Sequence, residues 1–109
     1  MALPLNVFKT VTQVAPTSPV GIYTAPVGYS GVVLLAQVAN IDSSSHTVSF
    51  SHKRSATVTE IVKDFAVQGK DTASLLSGRL ILESGDSLLL SGSNNVNLKF
   101  TVSILETLN

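Results

Sequence analysis

The stretch Val96-Asn97-Leu98-Lys99-Phe100-Thr101-Val102-Ser103-Ile104 decides the fold class. Val96, Leu98, Phe100, Val102 and Ile104 alternate with Asn97, Lys99, Thr101 and Ser103. A period of two over nine residues puts apolar side chains on one face of a β-strand and polar ones on the other. The pattern predicts a strand well inside a sheet, with its apolar row in the core.

The neighbouring segments read the same way. Leu88-Leu89-Leu90 follows a Ser84-Gly85-Asp86 turn, and Leu80-Ile81-Leu82 precedes it, so the two form a hairpin or corner. His46 to His52 alternates again, with Val48 and Phe50 on the face that carries both histidines. Val32 to Ile41 is apolar on both faces, with Val33, Leu35, Gln37 and Ala39 on one side and Val32, Leu34, Ala36 and Val38 on the other. Such a run belongs to a strand covered on both sides or to one at a subunit contact. Val7 to Val14 and Val20 to Thr24 supply two strands at the front. Ile61, Val62, Phe65 and Ala66 fall at helical spacing, but β-branched Thr57, Val58, Thr59, Ile61 and Val62 favour a strand carrying a bulge. Turn residues recur at ~8–12-residue spacing, as in sandwiches and barrels. The expectation is an all-β, two-sheet antiparallel β-sandwich of eight or nine short strands, with a jelly roll as one form. Residues 1–109 read as one domain, in which 1–19 is either an N-terminal arm or the first strand.

Composition narrows the function classes. The chain has 109 residues and no cysteine, which excludes disulfides, thiolate metal sites and cysteine nucleophiles. Seven basic and seven acidic residues give zero net charge. That argues against nucleic-acid binding, which needs excess Lys and Arg, and against a polybasic membrane anchor. Charged residues make up 13% of the chain, against ~25% in average soluble domains. A surface poor in charge and rich in hydroxyls suits a subunit packed against its own copies or other proteins; a neutral extracellular β-domain is the bland alternative. The longest apolar run, Val32 to Ala36, is far short of the ~20 residues of a membrane helix. The N-terminus has no basic segment followed by an apolar run, so no secretory leader is expected.

No catalytic constellation stands out. A serine nucleophile needs a base and an orienting group. The two histidines, His46 and His52, would lie ~20 Å apart along one strand at ~3.3 Å per residue. Asp42, His46 and His52 match no metal-ligand spacing, and Asp42 reads as a turn residue accepting backbone hydrogen bonds. Glu83 and Asp86 flank a glycine and read as turn chemistry. His52-Lys53-Arg54 reads as the cap of a solvated hairpin. No nucleotide-binding glycine motif is present. No enzyme, cofactor or metal is therefore expected. Tyr23 and Tyr29, around the Pro26-Val27-Gly28 turn, form either a small sugar platform or a packed corner. Leu3, Leu5, Val7 and Phe8 put apolar residues at a terminus and are candidate subunit contacts.

Three segments in order carry a resemblance. They are Ile22 to Asp42 (IYTAPVGYSGVVLLAQVANID), Gly78 to Leu90 (GRLILESGDSLLL) and Leu98 to Glu106 (LKFTVSILE). Together they resemble small virion structural proteins of tailed bacteriophages, of the kind found in marine phages including T4-like cyanophages. His52 to Leu76 matches least and is where partner-specific loops are expected. The resemblance implies a non-enzymatic building block of neck, tail, baseplate or capsid exterior. Such a block is expected to be made in the host cytoplasm, to reside in the virion, and to contact copies of itself and other virion proteins. The group carries no catalytic residues. A carbohydrate- or receptor-binding module on the particle is the alternative.

Overall fold

A computed structural model describes residues 6–109 of the chain. Among the described residues nine strands alternate with turns: β1 (Asn6–Val14), β2 (Val20–Thr24), β3 (Tyr29–Asn40), β4 (His46–Arg54), β5 (Thr57–Val67), β6 (Asp71–Ser74), β7 (Leu80–Leu82), β8 (Ser87–Gly92) and β9 (Leu98–Leu108). They form two antiparallel sheets. One has the order β1-β9-β3-β6, with β7 also on β3; the other has the order β2-β8-β4-β5.

The pairing is that of one long hairpin folded over itself. β4 pairs with β5, β3 with β6 and β7, β2 with β8, and β1 with β9. Winding this hairpin adds the contacts β3–β9 and β4–β8. With β6 and β7 taken as one interrupted strand, this is an eight-strand jelly roll. The sandwich expected from the sequence is thus present, in its jelly-roll form.

β9 lies between β1 and β3, and Leu98, Phe100, Val102 and Ile104 are fully buried. Val96 falls before the strand and stays exposed. Facing side chains of β4 and β8, chiefly Val48, Phe50, Leu88 and Leu90, complete the core. Phe50 and Phe100 meet across the two sheets with ring centroids 5.3 Å apart. Such a tilted aromatic pair adds ~1 kcal/mol to the area it buries.

Three local readings of the sequence change. The two faces of β3 exchange midway, because its register with β9 shifts between Val33 and Leu35. Val33, Ala36 and Val38 face inward, and Leu34 and Leu35 are both exposed. In β5 the bulge expected from the sequence occurs twice, opposite Phe50, and Asp64 takes φ 50° there. The Asp64 N–H donates to Ser49 Oγ at 2.9 Å, so the kink is held by a side chain. The stretch His52 to Leu76, expected to supply loops, is mostly the end of β4, β5 and β6.

Two turns position the ends of the sandwich. Gly85 takes φ 88° in the turn between β7 and β8, a conformation that L side chains avoid. Gly69 lies against the Ser43 carbonyl so closely that a Cβ would collide with it. The turns after β3 and after β5 meet there, and the Lys70 N–H donates to Asp42 O at 2.9 Å.

Candidate interaction face

Cross-strand partners in an antiparallel pair lie on the same face of the sheet. Applied across the five-stranded sheet, this rule builds a row. Phe8 on β1 stands opposite Leu105 on β9, Leu105 opposite Val32 on β3, and Val32 opposite Ile81 on β7. All four point away from the core. Phe8 is 74% exposed and Ile81 60%, with Val32 and Leu105 half-buried between them. At ~4.8 Å between strands, the row is ~14 Å long.

Over β1, β9 and β3 the row lies in a neutral field, whereas on β7 Ile81 is flanked by exposed Arg79 and Glu83. On one side stand Asn6, Thr107 and Ser30; on the other, Thr10, Ser103 and Leu35, then Thr12, Thr101 and Gln37. Among these outward positions of β1, β9 and β3 the first charge is Lys99, at the far end opposite Val14 and Ala39.

The outer face of the four-stranded sheet has another chemistry. Ser49, Ser51, Leu89 and Ser91 floor a shallow groove of about 320 Å³, with Glu60, Lys63 and Asp64 along its β5 side. A larger cleft of about 610 Å³ opens between β5 and the interrupted β6–β7 strand, lined by Ile61, Val62, Leu75, Leu76, Leu80 and Arg79.

The titratable residues singled out in the sequence serve internal ties. Asp86 is buried and accepts from Arg54 Nε at 3.0 Å and Nη2 at 2.7 Å, and from the Glu83 N–H at 3.0 Å. His52 Nε2 lies 3.0 Å from the same carboxylate. Arg54 above all, then His52 and the Glu83 N–H, hold the Asp86 carboxyl well below the usual carboxylate range, against the opposing effect of burial. Glu83 and Asp86 do form turn chemistry, but Asp86 also anchors the basic end of β4. Asp42 Oδ1 accepts from the Ser43 N–H at 2.7 Å, and Oδ2 lies 2.8 Å from His46 Nε2. The contact with His46, then that with Ser43, lowers its pKa. The two histidines thus face separate carboxylates. Among the described residues no group of three or more His, Cys, Asp or Glu is arranged to hold a metal ion.

Tyr23 reaches across the sandwich from β2 to β9. Its hydroxyl donates to Glu106 Oε2 at 2.5 Å, and Lys9 Nζ lies 3.4 Å from Oε1. Burial, reinforced by the adjacent carboxylate, raises the Tyr23 pKa far above its ordinary value. Tyr29 opens β3; its N–H donates to Pro26 O at 3.1 Å and its carbonyl accepts from Ser84 Oγ at 2.7 Å. Of the four candidate contact residues, Leu3 and Leu5 lie outside the described residues. Val7 stands opposite buried Glu106, on the core side, and Phe8 stands on the solvent side. Leu105 and Ile81 were not nominated by the sequence reading. Ile81 had a local signal, since three successive apolar residues in a strand must turn one outward.

No family model and no curated protein matches the chain. Solved structures similar in backbone include the following two. The nucleoplasmin-like N-terminal domain of Drosophila FKBP39 has a TM-score of 0.49 and 9% identity, covering 100% of this chain and 95% of that one. The Bacillus endospore appendages, a family of disulfide-linked pili, have a TM-score of 0.43 and 14% identity, covering 95% and 88%.

Proposed function

We propose that this chain is a non-enzymatic structural subunit of a tailed-phage particle, built into it by repeated protein–protein contacts. The assembly part of the reading is carried by the apolar row Phe8–Leu105–Val32–Ile81 on a solvent face, and its phage part rests on the resemblance of the three segments. Four aligned apolar side chains across four strands form a contiguous patch, and such patches mark interaction sites. The extent is sufficient for a specific contact. β1, β9, β3 and the interrupted β6–β7 strand, with 9, 11, 12 and 4 plus 3 residues, offer ~600 Å² of face at ~3.3 Å per residue and ~4.8 Å between strands, near the ~800 Å² per partner of stable interfaces.

The low charge of the chain supports the same reading. So does the resemblance of its three segments to phage virion proteins. Jelly rolls build viral capsid and lectin domains alike, so the fold by itself decides neither.

Immunogold electron microscopy of purified virions, with antibody against this chain, tests the proposal. Label at the head means a decoration role, and label at neck or tail a connector or baseplate role. Virions without label, in which mass spectrometry also finds no peptide of the chain, overturn it.

A further inference from the structure

The jelly roll leaves four sheet edges, and three of them are blunted. β5 is bulged twice and carries Glu60, Lys63 and Asp64. β6 and β7 are four and three residues long and are interrupted between Ser74 and Leu80. β2 has five residues, follows Pro19 and loses register between Gly21 and Tyr23. These are the devices by which proteins keep edges from pairing: short strands, bulges, charges and proline.

β1 is neither short nor bulged, holds no proline, and carries a single charge. It runs nine residues, Asn6–Val14, in unbroken register with β9. Its one charged residue, Lys9, lies on the core side with its amine near Glu106. Its outward residues are Asn6, Phe8, Thr10, Thr12 and Val14. Among the described residues no strand pairs with its other side.

We infer that β1 pairs antiparallel with β1 of a second copy, about a two-fold axis through Thr10. The inference rests on the assembly reading and deepens it by naming the joint. A second copy is the fitting occupant because the strand is self-complementary about this axis. Full overlap of Asn6–Val14 sets Thr10 against Thr10 and Phe8 against Thr12 of the partner. Thr–Thr and aromatic–β-branched pairs are among the favourable cross-strand neighbours. Lys9 meets Val11, so no like charges stand directly opposite. Two-fold pairing of one edge with itself closes the assembly and leaves no free β1 edge. The two sheets become one, and the two apolar rows come to lie on one continuous face.

The chain has no cysteine, which makes the test direct. Directly opposed Cα atoms in an antiparallel pair are ~4.5–5.5 Å apart, within disulfide range. Under mild oxidation, Thr10→Cys should cross-link to a covalent dimer in most molecules. Thr12→Cys alone should stay monomeric on a denaturing gel, and so should Phe8→Cys alone. A mixture of the two should cross-link. Val58→Cys, on the β5 edge, is the control and should not cross-link beyond a few per cent. Amide exchange in the unmodified protein should slow at β1 as concentration carries it from monomer to dimer. Failure of Thr10→Cys to exceed the Val58→Cys control overturns the inference, and so does cross-linking of Phe8→Cys or Thr12→Cys alone. Such a failure in a chain that labels virions removes the joint and leaves the particle reading standing; a cross-link in a chain absent from virions does the reverse.

Discussion

The two sheets share a core, yet their outer surfaces are finished differently. The four-stranded sheet turns serines and a charged margin outward, and its free edge β5 is kinked by two bulges. Its β4–β8 end is closed by Asp86, whose carboxylate gathers Arg54, His52 and a backbone N–H. The five-stranded sheet turns a neutral apolar row outward and ends in the regular strand β1. The difference separates two uses of polar chemistry. On one sheet it ties strands and turns together; on the other its absence leaves an apolar surface exposed.

The strongest way to break the finished side is Asp86→Ala. It takes the buried acceptor from the Glu83 N–H and from Arg54, whose Nη2 keeps only the exposed Glu83 carboxylate at 2.8 Å. Arg54 is half-exposed, so the loss is of charge-assisted hydrogen bonds to a buried carboxylate, together about 2–3 kcal/mol. Urea unfolding should show that loss, with the row and its self-association intact in the folded fraction. A pH signature accompanies it. Because the folded pKa of Asp86 is lowered, its contribution is present above the unfolded value of ~3.9 and is lost as pH falls below it. Asp86→Asn should flatten that acid slope.

Next in size is an attack on the open side. Phe8→Lys with Ile81→Lys puts two charges at the ends of the row. Self-association measured by sedimentation should weaken by about 30-fold, or ~2 kcal/mol. The subunit's own stability should change by less than ~0.5 kcal/mol per site, since both side chains are exposed. If association survives, the row is not a contact.

Between the two sheets lies Tyr23, whose hydroxyl ties β2 to Glu106. Tyr23→Phe removes one hydrogen bond to a buried charge and should cost about 1.5 kcal/mol in unfolding. The folded pKa of Tyr23 is raised, so its contribution is complete below ~10 and falls as pH rises above that value. The variant should lose that alkaline component, a slope opposite in sign to that of Asp86.

What the sequence revealed depended on how local each cause was. The alternation from Leu98 to Ile104 exposed the central strand because period two is written in neighbouring residues. The alternation continues in the structure to Glu106, which turns inward, and its burial is made tolerable by Tyr23, 83 residues away. The faces of β3 were misread beyond Val33 because a register shift leaves no mark in the apolar run Val32–Ala36. Asp86 looked like a turn residue because its partners on β4 lie 32 and 34 residues away. Phe8 was nominated as an apolar residue near a terminus, but the row it heads exists only through the registers of three strand pairs. Asp71–Ser74 was missed as a strand because four residues, two of them hydroxylic, carry too little pattern.

The smallest expected effect tests whether the contrast between the sheets is real. Val58 is exposed on β5, beside Glu60 at the polar groove, and has an apolar side chain much like those of the row. If any exposed apolar residue drove association, Val58→Lys would weaken it as Ile81→Lys does. If the aligned row drives it, Val58→Lys changes self-association by less than twofold and stability by less than ~0.5 kcal/mol. One apolar side chain among charged neighbours offers a partner little contiguous area. Four in register offer a surface that a second sheet can cover at the ~10 Å packing distance of stacked sheets. Sedimentation of the two variants side by side measures that difference.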